Sequence, residues 1–146
     1  MLGAHLGGRA IDVSKTTAAH ALSYQLTMRH GIPHGHAVGL TLGHVGAANA
    51  EVTEDDCADP RGPEHTRRRV RDAAALLGVE PANLPESVSS LIARLGLPPS
   101  LSAAGVPSDD VPGLAAAIDP VRSGNNPRRL DASTTLALMR RAWSHP

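Results

Sequence analysis

The stretch Ala18-Ala19-His20-Ala21-Leu22-Ser23-Tyr24-Gln25-Leu26-Thr27-Met28-Arg29-His30-Gly31-Ile32-Pro33-His34-Gly35-His36-Ala37-Val38 decides the reading of this chain. Leu22 and Leu26 lie four apart, and His20 and Tyr24 lie four apart on a neighbouring stripe. That spacing predicts a helix from Thr17 to about His30. Ser14, Thr16 and Thr17 are all suitable N-caps. Gly31 followed by Pro33 ends the helix. A second helix is expected from near Gly35 to about Glu51, with Ala, Val, Leu, Gly and Thr on every side, so it should be buried all round. Gly39, Gly43 and Gly46 each weaken it by about 1 kcal/mol relative to alanine. That cost is tolerable where another backbone must come close.

Outward from this pair, the pattern remains helical. Glu51 to Glu64 reads as a loop holding Pro60 and Pro63, with Glu51, Glu54, Asp55, Asp56 and Asp59 as solvated surface. Glu64 to Leu77 reads as a helix stopped at Gly78. Pro85 suits the first turn of a helix over Glu86 to Leu95, with Val88, Leu91, Ile92 and Leu95 on its buried face and Gly96 at its end. Ser108 is expected to cap a short helix carrying Asp109 and Asp110 in its first turn, with Leu114 to Ile118 as its apolar side. Asp119 to Arg129 is turn-rich, and Arg128 in it is a candidate loop anchor. A last helix runs from near Asp131 to Trp143 and turns Leu136, Met139 and Trp143 to the core. The one β-branched run, Arg9 to Val13, is too short to anchor a sheet. The expected class is all-α, six or seven helices in one bundle, with no glycine-rich phosphate loop after a strand.

Bulk numbers narrow the function. The 146 residues hold one domain, and fourteen basic side chains balance fourteen acidic ones. A nucleic-acid binder that relies on phosphate contacts needs a basic excess, so none is expected as a partner. There is no Phe, one Tyr and one Trp, so the core rests on Ala, Leu and Val. Cys57 alone cannot form an internal disulfide, which points to the cytoplasm. The stretch from Gly31 to Ala50 lacks Asp, Glu, Lys and Arg but carries three histidines and five glycines, a poor membrane span.

Five of the eight histidines (His20, His30, His34, His36 and His44) fall within 25 residues. His20 lies inside the first helix, and His34 lies at the entry to the next. A helix, a tight turn and a returning helix can bring these imidazoles to one point. Two neutral imidazoles make half a site for a divalent ion such as Fe²⁺ or Zn²⁺. The competing reading makes each an ordinary hydrogen-bonded polar residue. Two ligands are fewer than the three or more that a catalytic metal takes from protein.

The segment from Ser14-Lys15-Thr16-Thr17 through His20 and Tyr24 to Gly31-Ile32-Pro33-His34-Gly35-His36-Ala37-Val38 resembles the iron-containing alcohol dehydrogenases, whose fold is dehydroquinate-synthase-like. Members of that family carry a His, a short helix, and then Pro-His-Gly opening a buried helix. The same string, with Asn125-Asn126-Pro127-Arg128 and the final helix, resembles the branch that includes the phosphonoacetaldehyde reductases of phosphonate biosynthesis. The resemblance runs over essentially the whole chain.

The resemblance implies that residues 1–146 are the C-terminal, metal-binding helical domain, with the nucleotide-binding domain upstream. It implies that His20 and His34 are two of four metal ligands, the other two being an Asp and a His upstream of residue 1. Tyr24 stands where many relatives carry a His facing substrate and cofactor. It is the candidate catalytic side chain, able to hydrogen-bond substrate but unsuited to relay a proton near neutrality. Gly43 stands where a Pro is frequent. Lys15, Thr16 and Thr17, near a helix N-terminus, are candidates for an anionic substrate group. The implied reaction is metal-assisted reduction of an aldehyde by NAD(P)H, with the isolated chain inactive. The alternative is a non-catalytic helical fragment or partner-binding module that retains part of a metal site. A chain parted from its other domain is also expected to expose an apolar face and form homo-oligomers.

Overall fold

The structure is a computed structural model and describes residues 1–144. Among these residues there are eight α-helices and no strand. They are α1 (Leu2–Ser14), α2 (Ala18–His30), α3 (His34–Ala50), α4 (Pro63–Leu76), α5 (Leu84–Arg94), α6 (Val111–Ala116), α7 (Pro120–Ser123) and α8 (Ala132–Ser144). Single 3₁₀ turns at Pro81–Asn83 and Ser108–Asp110 lead into α5 and α6. The all-α expectation holds.

α3 is the axis of the bundle. It packs against α2, α4, α5 and α8, and buries Ala37, Leu40, Thr41, His44, Val45 and Asn49. Burial on every side, as expected, is not complete: Leu42 is 49% exposed, on the side that opens onto a crevice. Three of the four glycines of α3, Gly39, Gly43 and Gly46, lie on the face towards α5. A Cβ at Gly43 would sit 2.6 Å from the Leu84 carbonyl oxygen and 2.7 Å from the Pro85 Cα. At Gly46 it would meet a Leu84 methyl at 3.0 Å, and at Gly39 an Ile92 methyl at 3.3 Å. The lost helix propensity is therefore offset by close seating of α5, as the sequence suggested.

That seating corrects the expected face of α5. Leu84 and Ile92 are buried and Val88 is half-buried, whereas Leu91 is 48% and Leu95 69% exposed. The apolar stripe that fits the glycine groove is Leu84, Val88 and Ile92, four residues apart. Leu22 and Leu26 of α2, Leu101, Val106, Leu114 of α6 and Met139 of α8 complete the core. In α8, Leu138 and Met139 are buried, while Leu136 and Trp143 pack half-buried against the core. Trp143 donates its indole N–H to the Val106 carbonyl at 2.7 Å.

Four local expectations change. Residues 2–14 are helical, because a β-branched run with no partner strand gains nothing from extension. No side chain of α1 is buried. Ser108 caps nothing: its hydroxyl turns to Asp109, and the 3₁₀ turn follows Pro107. The expected loop 119–129 contains α7, capped by Asp119, whose carboxylate accepts from the Val121 and Arg122 amides. The acidic loop is only partly solvated surface. Glu51, Glu54 and Asp55 are exposed, but Asp56 and Asp59 are half-buried. Asp56 accepts from Arg128 Nε at 2.6 Å, and Arg128 also donates to the Ala48 carbonyl at 2.7 Å. Arg128 is thus the loop anchor, tying the chain before α8 to the end of α3. Asn49 and Asn126 exchange side-chain amide bonds beside it, at 3.2 and 2.7 Å.

Asp59 accepts three bonds of 2.9 Å from the backbone and guanidinium of Arg61. The Arg61 side chain, more than any other group, holds the Asp59 carboxyl at about 2, below its ordinary 3.8. A carboxyl with a depressed folded pKa adds stability that is complete above its unfolded pKa and is lost as pH falls towards the folded one. The gap in melting temperature between the wild type and Asp59→Asn should therefore be constant above about pH 5 and close between about pH 4 and 2. Melts followed by circular dichroism across that range check it. A gap independent of pH overturns the assignment.

Candidate metal centre

The turn Gly31-Ile32-Pro33 reverses the chain between α2 and α3. Gly31 takes the left-handed conformation that a helix C-cap requires, at φ 67°. Ile32 plugs into the core at 5% exposure, and His34 becomes the first residue of α3. The reversal brings the His34 ring to the His20 ring, with centroids 5.4 Å apart and planes at 63°. Tyr24, one turn after His20, lies against the other side of the contact, its ring 5.4 Å from that of His34. His20 is half-buried, and His34 and Tyr24 are exposed. Burial, and then the neighbouring His34, lower the His20 pKa, so His20 stays neutral to a lower pH than an ordinary imidazole.

Ser23 is fully buried beneath this pair. Its hydroxyl lies 2.7 Å from the His20 carbonyl and 3.1 Å from His34 Nδ1. Sequence reading passed over Ser23, although its place three residues after His20 puts it on the same helical face. It also missed Arg122. The guanidinium of Arg122, on α7, lies 4.3 Å above the Tyr24 ring, and its Nε is 3.2 Å from Asp119. No local pattern links a loop arginine to a tyrosine so distant in the chain.

The remaining histidines separate. His36 donates from Nε2 to the Pro98 carbonyl at 2.7 Å, pinning α3 to the segment after α5. His30 lies 3.6 Å from the Asp110 carboxylate, and His44 is buried in α3. Lys15 ends α1 at φ 60°, and Thr17 is the N-cap residue of α2, without a side-chain capping bond. Lys15 and Thr17 line a crevice of about 680 Å³ together with Asp59, Arg61, His65 and Asn125. Neither His20 nor His34 lines it. Thr16 is half-buried between them.

Among the described residues, no group of three or more His, Cys, Asp or Glu side chains could hold a metal ion. The two facing imidazoles are nevertheless of the donor type that Fe²⁺ and Zn²⁺ accept, and the exposed His34 ring is open to an approaching ion. The residues present therefore fit part of such a site.

Residues 1–143 match the family model described as Fe-containing alcohol dehydrogenase family, C-terminal. The chain belongs to the iron-containing alcohol dehydrogenase family. It is 46% identical over 129 residues to the phosphonoacetaldehyde reductase of Streptomyces viridochromogenes, a match covering 88% of this chain and 32% of that protein. It is 29% identical over 152 residues to the lactaldehyde reductase of Escherichia coli K12, covering 97% of this chain and 36% of that protein. The chain thus spans about a third of the length of these curated relatives. No helix among its described residues is long and apolar enough to cross a membrane.

Proposed function

We propose that this chain is the helical, metal-holding half of an NAD(P)-linked aldehyde reductase, and that its substrate is phosphonoacetaldehyde or a similarly anionic aldehyde. The observation that carries this reading is the facing His20–His34 pair at the α2–α3 reversal, in a chain that matches an iron-containing family over nearly all its length. His20 and His34 are two ligands of a divalent ion, Fe²⁺ or Zn²⁺, and an upstream nucleotide-binding domain supplies the rest of the site. Leu2, Leu6, Ile11 and Val13 of α1 lie between 49% and 87% exposed, as expected of a helix that another domain covers.

The chemistry supplied by a divalent ion at this site is Lewis-acid polarisation of the aldehyde oxygen, with hydride from NAD(P)H. The residues of the chain bind and orient. The pair of imidazoles, one of them kept neutral by burial, holds the ion. The Tyr24 hydroxyl, beside His34, hydrogen-bonds the bound aldehyde and fixes its angle. Arg122, stacked on Tyr24, meets the anionic end of the substrate. This makes Arg122 a better candidate for that role than Lys15, Thr16 and Thr17, two of which open onto a different crevice.

Two experiments test the reading. The 146 residues alone should show no NAD(P)H oxidation with phosphonoacetaldehyde, and robust turnover by them would overturn the half-enzyme assignment. The polypeptide joined to its nucleotide-binding domain should reduce phosphonoacetaldehyde with a bound divalent ion. In that complete enzyme Arg122→Ala should raise KM for the phosphonate-bearing aldehyde about tenfold, the value of one charge-assisted contact of about 1.4 kcal/mol. KM for an uncharged aldehyde such as propanal should stay within about twofold, since no such contact is lost. Equal effects on both aldehydes would remove Arg122 from substrate selection.

A further inference from the structure

The Ser23 hydroxyl has one proton and two polar neighbours. The shorter contact, 2.7 Å, is to the His20 carbonyl, which can only accept. The longer, 3.1 Å, is to His34 Nδ1, which accepts or donates according to its tautomer. With the serine proton directed to the carbonyl, the Ser23 oxygen faces Nδ1 with lone pairs, and the bond forms only if Nδ1 carries the ring proton. We infer that Ser23 is a positioning residue that fixes His34 as the Nδ1–H tautomer and leaves Nε2 as its unprotonated nitrogen.

This inference rests on the reading of His34 as a metal ligand and deepens it. A free neutral imidazole favours the opposite tautomer, with the proton on Nε2. A hydrogen bond at one ring nitrogen selects the tautomer, and partners of that kind govern ligand basicity and orientation at metal sites. Ser23 is well placed for this role. It is fully buried, so no water competes for its oxygen, and its own position is set by the carbonyl it bonds on α2. One hydroxyl thereby couples the backbone of His20 to the ring of His34, across the turn that separates them.

The metal-free chain, labelled with ¹⁵N-histidine, tests this by two- and three-bond proton–nitrogen correlation at mildly alkaline pH. His34 should show a protonated Nδ1 and an unprotonated Nε2, and Zn²⁺ should move the Nε2 resonance. Ser23→Ala should convert His34 largely to the Nε2–H form and weaken Zn²⁺ binding by about ten- to a hundredfold. Ser23→Thr, which keeps the hydroxyl, should restore both. A wild-type spectrum with the proton on Nε2 overturns the inference while leaving the half-enzyme reading intact, and it decides the matter even if Ser23→Ala fails to fold. An unchanged tautomer in a folded Ser23→Ala overturns it equally. The Nδ1–H form without any Zn²⁺ response at His20 or His34 upholds the role of Ser23 in setting the ring and overturns the metal site itself.

Discussion

His34→Ala, made in the complete enzyme, should lower kcat for aldehyde reduction by about a thousandfold or more. Lewis-acid stabilisation by a bound ion is worth several kcal/mol, and each 1.36 kcal/mol is tenfold in rate. His20→Ala should do the same. In the isolated chain both substitutions should reduce Zn²⁺ binding measured by calorimetry. The informative control is His36, two residues further along α3. Its ring is spent on the Pro98 carbonyl, so His36→Ala should cost about 1–2 kcal/mol of stability through an unpaired acceptor and leave metal binding within about twofold. Activity within tenfold of wild type in His34→Ala would remove that residue from the site.

The second large effect concerns the fold. Gly43→Ala places a methyl group 2.6 Å from the Leu84 carbonyl oxygen and 2.7 Å from the Pro85 Cα. Both obstacles are backbone, so relief requires α5 to move off α3. Overpacking of this kind costs about 2–3 kcal/mol, a fall in melting temperature of roughly 5–10 °C in a domain of this size. Gly113→Ala is the opposite case. Its Cβ would meet Arg29 at an ordinary 3.6 Å, so the better helix propensity of alanine should add about 0.5–1 kcal/mol. A Gly43→Ala protein as stable as the wild type would show that α5 does not sit where it is described.

How much of this was legible in the sequence depends on whether the information was local. The α2–turn–α3 unit was readable because its parts adjoin in the chain: the leucine stripe, the Gly31 cap and the Pro33 break. The approach of His20 and His34 followed from that unit, and Gly39, Gly43 and Gly46 of α3 announced a close neighbour. Which neighbour was not legible. The choice of Leu84 over Leu91 as a buried position on α5 depends on the groove it fills, and Leu91 satisfied the same helical period. Asp56 read as solvent-facing because its partner, Arg128, lies beyond four helices in sequence. Arg122 was hidden in the same way. α1 escaped notice for the opposite reason: it has no buried stripe, and periodicity detects a helix only through the face that it hides.

That uncovered helix has a consequence for how the molecule breathes. The backbone hydrogen bonds of α1 have no packed side chains to hold them closed, whereas α3 packs against four other helices and buries seven of its residues. In the chain alone, the amides of α1 should exchange with deuterium through local fraying, far faster than those of α3, which must wait for global opening. Trypsin should find Arg9 and Lys15 before any arginine of the bundle.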